Sequence, residues 1–148
     1  MRFESHMEAA LAEARAAAER GETPVGAVVV AQGRVVAAEG NRVRALADPT
    51  AHAEMLALRA AAAALGTERL TGADLYVTLE PCPMCAGAIS LARVRRLYYG
   101  AADPKTGGVE HGARIFAHPQ CHHAPEVYGG IGEAEASALL TAFFRARR

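Results

Sequence analysis

The chain has 148 residues, 51% of them hydrophobic and 22% charged, which is enough for one domain with a real core. Sixteen basic residues balance sixteen acidic ones, so the overall charge does not advertise a nucleic-acid partner. No apolar run approaches the ~20 residues of a membrane span, no signal-peptide pattern is present, and three cysteines fit a reducing, cytoplasmic compartment.

In chain order, Ser5-His6-Met7-Glu8 has the form of a capping box and opens an alanine-rich amphipathic helix to about Arg20, which Gly21 ends. Val25 to Ala31 and Arg34 to Glu39 are apolar runs joined at Gln32-Gly33, a β-hairpin pattern. Residues 50–65 form a second helix, with Asp48 or Thr50 as its cap and Gly66 as its stop. Asp74 to Leu79 is a strand running into a third helix that starts at Pro83 and ends near Ala92. Val94 to Ala101 is a further strand. A loop-rich stretch reaches Gly132 with a short strand at Glu126 to Tyr128, and Glu133 to Arg147 is the last helix. This order predicts an α/β fold with helices on both faces of one mixed sheet.

Two segments carry chemistry: His52-Ala53-Glu54 and Glu80-Pro81-Cys82-Pro83-Met84-Cys85. His52, Cys82 and Cys85 make a zinc ligand set of three, and catalytic zinc keeps its fourth position for water. Zinc lowers the pKa of bound water to about 7. Two thiolates formally neutralise the dication and should leave that water less acidic than an all-histidine site does. Glu54 would compensate by accepting the proton and carrying it to the substrate. Pro83 suits a first helical turn, which sets Cys82 and Cys85 on one face at i and i+3, and a helix N-terminus favours thiolate. His52 and Glu54 would stand roughly 200° apart on a regular helix, so they converge only if the helix begins there. A lone C-x-x-C also occurs in redox sites and structural zinc modules. The upstream His-x-Glu is what points to a hydrolytic enzyme.

These residues resemble the bacterial tRNA-specific adenosine deaminases of the cytidine-deaminase superfamily over nearly the whole chain. The segments are Pro24-Val25-Gly26-Ala27, Gly40-Asn41-Arg42, Asp48-Pro49-Thr50-Ala51-His52-Ala53-Glu54, Tyr76-Val77-Thr78-Leu79-Glu80-Pro81-Cys82, Met84-Cys85-Ala86-Gly87-Ala88, Asp103-Pro104-Lys105-Thr106-Gly107 and Phe143-Phe144-Arg145. H-x-E with P-C-x-x-C identifies only the superfamily; the D-P-T-A-H-A-E, D-x-K-T-G and F-F-R forms are more specific. The resemblance implies one zinc-dependent deaminase domain over residues 1–148, a three-layer α/β/α sandwich on a cytidine-deaminase-like five-stranded sheet, usually as a homodimer. It implies one Zn2+ per subunit on His52, Cys82 and Cys85. It also implies hydrolysis of the wobble adenosine of a tRNA anticodon stem-loop to inosine, with attack at C6 by zinc-bound hydroxide. Glu54 delivers a proton to the ring nitrogen and ammonia leaves. The base must leave its loop to reach the metal.

The resemblance also implies substrate contacts, each with a plainer counterpart. Asn41 matches a pocket amide, or is a turn asparagine after Gly40. Val25 and the backbone near Ala27 match a wall against the base, or are core strand. Asp103 matches a ribose contact, or opens a turn; Lys105 contacts phosphate, or is solvated. Phe143, Phe144 and Arg145 could stack on and clamp loop nucleotides, with one phenylalanine expected in the core. Apart from the resemblance, charge gathers in two arginine clusters, Arg93-Arg95-Arg96 and Arg145-Arg147-Arg148, which suit RNA or simply complement a helix C-terminus. Segment 108–130 fits less tightly, and its His118 to His123 stretch reads as surface histidines rather than a second metal site, leaving Cys121 a free thiol. Two alternatives keep the zinc residues: a deaminase of free guanine, cytosine or cytidine, and a non-catalytic RNA-binding module in which Cys121 completes a structural zinc.

Overall fold

The computed structural model describes residues 4–147, so Arg148 of the second arginine cluster lies outside the described residues. The elements are α1 (Met7–Glu19), β1 (Gly26–Ala31), β2 (Arg34–Gly40), α2 (Ala53–Leu65), β3 (Asp74–Leu79), α3 (Pro83–Ala92), β4 (Arg96–Ala101), β5 (Glu126–Tyr128) and α4 (Glu133–Ala146), with a 3-10 turn at Ile115–Ala117. The sheet order is β2-β1-β3-β4-β5. β1 is antiparallel to both neighbours, whereas β3, β4 and β5 run parallel.

The composition of the strands explains their burial. Ala27 to Val30 and Leu75 to Val77 are continuous apolar runs because helices cover both faces of the sheet. α2 and α3 supply Ala53, Ala57, Leu58, Ala61, Ala86 and Ile89 to the core on one face. α1 and α4 supply Met7, Ala10, Leu11 and Ala136 to the other, with Leu139 and Leu140 packed at its edge. Each fully buried leucine or valine there contributes roughly 1.5–3 kcal/mol. The hairpin turns through Gln32 (φ 51°) and Gly33 (φ 75°), the left-handed pair that matches the twist of the strands.

α3 and α4 start at Pro83 and Glu133 as expected, but the starts of α1 and α2 differ. The capping box does not form: His6 holds the cap position of α1, and the Ser5 hydroxyl accepts from Met7 N–H at 3.1 Å. Glu8 pairs with Arg15 instead, and the same arginine reaches Glu135 of α4. α2 starts at Ala53, not at residue 50, and neither Asp48 nor Thr50 caps it. The Asp48 carboxylate accepts from Thr50 N–H (2.8 Å) and Thr50 Oγ1 (2.7 Å), a local turn that uses up the acceptor a cap would need. Its first N–H, that of Ala53, is bound instead by Asn41 Oδ1 at 2.8 Å. β4 begins at Arg96 rather than Val94: Val94 N–H still bonds back to the Ile89 carbonyl of α3, while Arg95 N–H reaches across to the Ala73 carbonyl just ahead of β3.

Candidate active site

The C-terminal ends of β3 and β4 and the N-termini of α2 and α3 meet at one place. His52 is the cap residue of α2 and Cys82 that of α3, both with extended backbone. Glu54 is the second residue of α2 and Cys85 the third of α3. The helix does begin between His52 and Glu54, and this lets the imidazole and the carboxylate serve one site.

His52 Nδ1 lies 3.6 Å from Cys82 Sγ and 3.5 Å from Cys85 Sγ, and the three ligand atoms are all within 4.8 Å of one another. Zinc bonds of about 2.3 Å to sulfur and 2.0–2.1 Å to nitrogen, at a tetrahedral angle, separate N and S by about 3.6 Å. The donor set therefore fits a tetrahedral zinc with one position left over. Among the described residues this is the single His/Cys/Asp/Glu group so arranged, and Cys121 is not part of it. Cys121 Sγ instead sits 3.3 Å from Ser90 Oγ and donates to the His123 carbonyl. His123 Nε2 is 2.7 Å from the Val94 carbonyl oxygen, while His118 and His122 are exposed.

The charges of these groups depend on one another. The Cys85 thiol, bonded to Cys82, pulls Cys82 down to about 4 against the effect of burial, and His52 helps; Cys85 is pushed up in turn. The hydrogen bond to Cys82 raises His52. Glu54 is 4% exposed. Burial pushes its carboxyl up to about 7, close to the working range of a general acid and base.

A cavity of about 220 Å³ opens onto these groups, lined in part by Val25, Asn41, His52, Glu54, Cys82 and Asp103. Other expected contacts lie elsewhere. Ala27 is fully buried in the core and does not line the cavity. Lys105 is exposed beside it, in a turn built on the Asp103 carboxylate, which accepts from Lys105 N–H, Thr106 N–H and Thr106 Oγ1. Phe143 is the core phenylalanine at 9% exposure, with the Arg147 guanidinium 3.5 Å above its ring, while Phe144 is 53% exposed and Arg145 is exposed. Of the other arginines, Arg95 holds Asp74 through two bonds of 3.1 Å, Arg96 pairs with Glu126 and Arg93 donates to the His122 carbonyl.

Sequence reasoning passed over Glu80, which also lines the cavity. Its side chain is fully buried and accepts four backbone N–H groups and faces one imidazole nitrogen, all from residues 103–111. Burial raises this carboxyl, but the N–H groups and His111 outweigh it and hold it below the usual range. Its signal in sequence was its place two residues before Cys82.

Residues 2–101 match the cytidine and deoxycytidylate deaminase zinc-binding region. A tRNA-specific adenosine deaminase of Agrobacterium fabrum is 63% identical over 142 residues, 96% of this chain and 93% of that one. A solved structure from work on A-to-I editing by tRNA:A34 deaminases superposes with a TM-score of 0.89 at 64% identity, covering 90% of this chain and 97% of the other. A guanine deaminase from Nitrosomonas europaea shares the fold at a TM-score of 0.81 and 26% identity, covering 97% and 86%.

Proposed function

This chain belongs to the cytidine and deoxycytidylate deaminase zinc-binding family, and we propose that it deaminates adenosine to inosine at the wobble position of a tRNA anticodon. One observation carries the reading. A single cavity gathers a three-donor metal set, a buried carboxylate and Asn41, in a chain 63% identical over 96% of its length to a tRNA-specific adenosine deaminase.

His52, Cys82 and Cys85 would hold one zinc. When bound, zinc supplies the Lewis acidity that makes water nucleophilic near neutral pH. Glu54 would take a proton from the attacking water, pass it to the purine ring nitrogen and assist departure of the amine. Water and adenosine enter; inosine and ammonia leave. Asn41 anchors α2 through its carbonyl and offers its N–H2 to the substrate. Val25 walls the base, and Asp103 and Lys105 form the rim toward ribose and phosphate. Phe144 and Arg145, on the exposed side of α4, meet the loop nucleotides, while Phe143 fixes that helix to the core.

A homodimer fits the apolar face that α3 leaves open, where Leu91 is 65% exposed beside a groove lined by Met55, Leu58, Ala88 and Ala92. Among the described residues no helix is long and apolar enough to cross a membrane. The proposed tRNA substrate supports a cytoplasmic location.

The experiment is inosine formation in an anticodon stem-loop RNA with adenosine at the wobble position. Free adenosine, cytidine and guanine are run in parallel, with Glu54→Ala as the blank. Inosine in the RNA alone, lost in the variant, supports tRNA editing and the proton role of Glu54. Turnover of guanine alone moves the enzyme to the guanine deaminase side of the fold, and turnover of adenosine or cytidine alone makes it a nucleoside deaminase; either overturns the tRNA reading.

A further inference from the structure

The geometry points to Glu80 as a positioning residue that ties the substrate-side loop, residues 103–111, to the metal-ligand segment. Glu80 Oε1 accepts from Asp103 N–H at 3.0 Å and lies 2.7 Å from His111 Nδ1. Oε2 accepts from Val109 N–H (3.2 Å), Glu110 N–H (2.9 Å) and His111 N–H (2.9 Å). The two oxygens thus hold both ends of one loop. Glu80 itself is fixed to the sheet, since its N–H donates to the Ala101 carbonyl at 2.8 Å, and it is followed directly by Pro81 and Cys82.

The loop has no slack against this anchor. Gly108 N–H donates to the Pro81 carbonyl at 2.8 Å, and a Cβ on Gly108 would lie 2.6 Å from Pro83 N and 2.8 Å from the Cys82 carbonyl carbon. A Cβ on Gly107 would lie 2.8 Å from Glu80 Cδ and 2.4 Å from the Asp103 carbonyl oxygen. Glycine at both positions lets the backbone close onto the carboxylate. The Tyr99 hydroxyl donates to Glu110 and holds the far side of the loop to β4. A carboxylate buried among backbone donors, two residues from Cys82, sets where Asp103 and Thr106 stand on the cavity wall. Its role is to orient the rim, since the metal-facing proton chemistry already has Glu54.

Glu80→Gln tests this most directly. The amide oxygen still serves three of the donors, but the N–H2 that replaces the other oxygen opposes Asp103 N–H, so the Asp103 end is released. The inference rests on the deaminase reading, and two readouts separate the two. Hydrogen exchange on the zinc-loaded protein should show faster exchange at residue 103, with residues 109–111, whose N–H groups keep the amide oxygen, and the amides of α2 and α3 protected as in the wild type. With stem-loop RNA as substrate, KM should rise by about tenfold, the equivalent of one charge-assisted hydrogen bond, while kcat and zinc content stay close to wild type. Asp103→Ala should raise KM in the wild type but add little in the Glu80→Gln background. If Glu80→Gln does not fold, Gly107→Ala leaves the carboxylate's charge in place but drives a Cβ against it, and should speed exchange at residues 103 and 109–111 and raise KM in the same way. Unchanged loop exchange, or unchanged KM in an active variant, overturns the positioning role. A lower melting temperature with both unchanged would make Glu80 merely structural. Wild-type protein inactive on RNA refutes the proposed substrate, while exchange still reads the anchor.

Discussion

Replacing Asn41 separates two jobs that one amide performs. Its Oδ1 binds Ala53 N–H at 2.8 Å, which caps the helix that carries Glu54 and sets the start at His52. The donor identity of Ala53 N–H fixes which end of the amide faces the helix, so Nδ2 is the end left for substrate. Asn41→Ala removes a cap worth about 1 kcal/mol, or about 2–4 °C in melting temperature for a domain of this size. Asn41→Asp keeps an acceptor at the helix N-terminus and should melt close to the wild type. It lacks the N–H2, however, and an unpaired acceptor on the buried substrate costs roughly 1–3 kcal/mol, a loss of roughly 5- to 150-fold in kcat/KM. The assay pairs thermal unfolding of zinc-loaded protein with steady-state inosine formation. An Asn41→Asp variant as active as the wild type would refute the substrate role, and an Asn41→Ala variant with unchanged melting would refute the cap.

Other outcomes follow from the same geometry. In zinc-stripped protein, burial raises Glu54 from an ordinary 4.5 to about 7, so the folded form holds a proton that the unfolded chain releases. Its contribution to stability is therefore full below pH 4.5 and lost as pH rises through about 7. Glu54→Gln should abolish turnover and flatten that part of the stability profile in urea titrations across pH. Cys82→Ser and Cys85→Ser should each lose zinc by metal analysis, whereas Cys121→Ser should retain it; the reverse would favour a structural four-ligand site. Phe143→Ala should cost about 3–5 kcal/mol of stability as a buried aromatic. Phe144→Ala should leave stability nearly unchanged and weaken stem-loop RNA binding in a filter or anisotropy assay.

The sequence by itself determined whatever depends on neighbours within a turn or a pleat. Continuous apolar runs marked β1 and β3, and Gln32-Gly33 marked the hairpin of β1 with β2, because these follow from local backbone preference and burial on both faces. Cys82 and Cys85 were legible as a pair for the same reason, since one helical turn sets their spacing. His52 and Glu54 could be joined to them only through the pattern of the two motifs, not through local geometry. What tertiary structure decided were partnerships across long stretches of chain. The cap of α2 comes from Asn41, twelve residues away from the N–H that it binds, and not from adjacent Asp48, whose carboxylate is spent on Thr50. Phe143 rather than Phe144 is buried, under the Arg147 guanidinium, because α4 lies against the fold with one particular face, which spacing alone left open. Glu80 looked like one letter of a motif until the loop from Asp103 to His111 folded over it. A hydrogen-bonding group declares its chemistry in the sequence, but its partner is chosen by whichever segment the packing of the sheet and helices delivers to it.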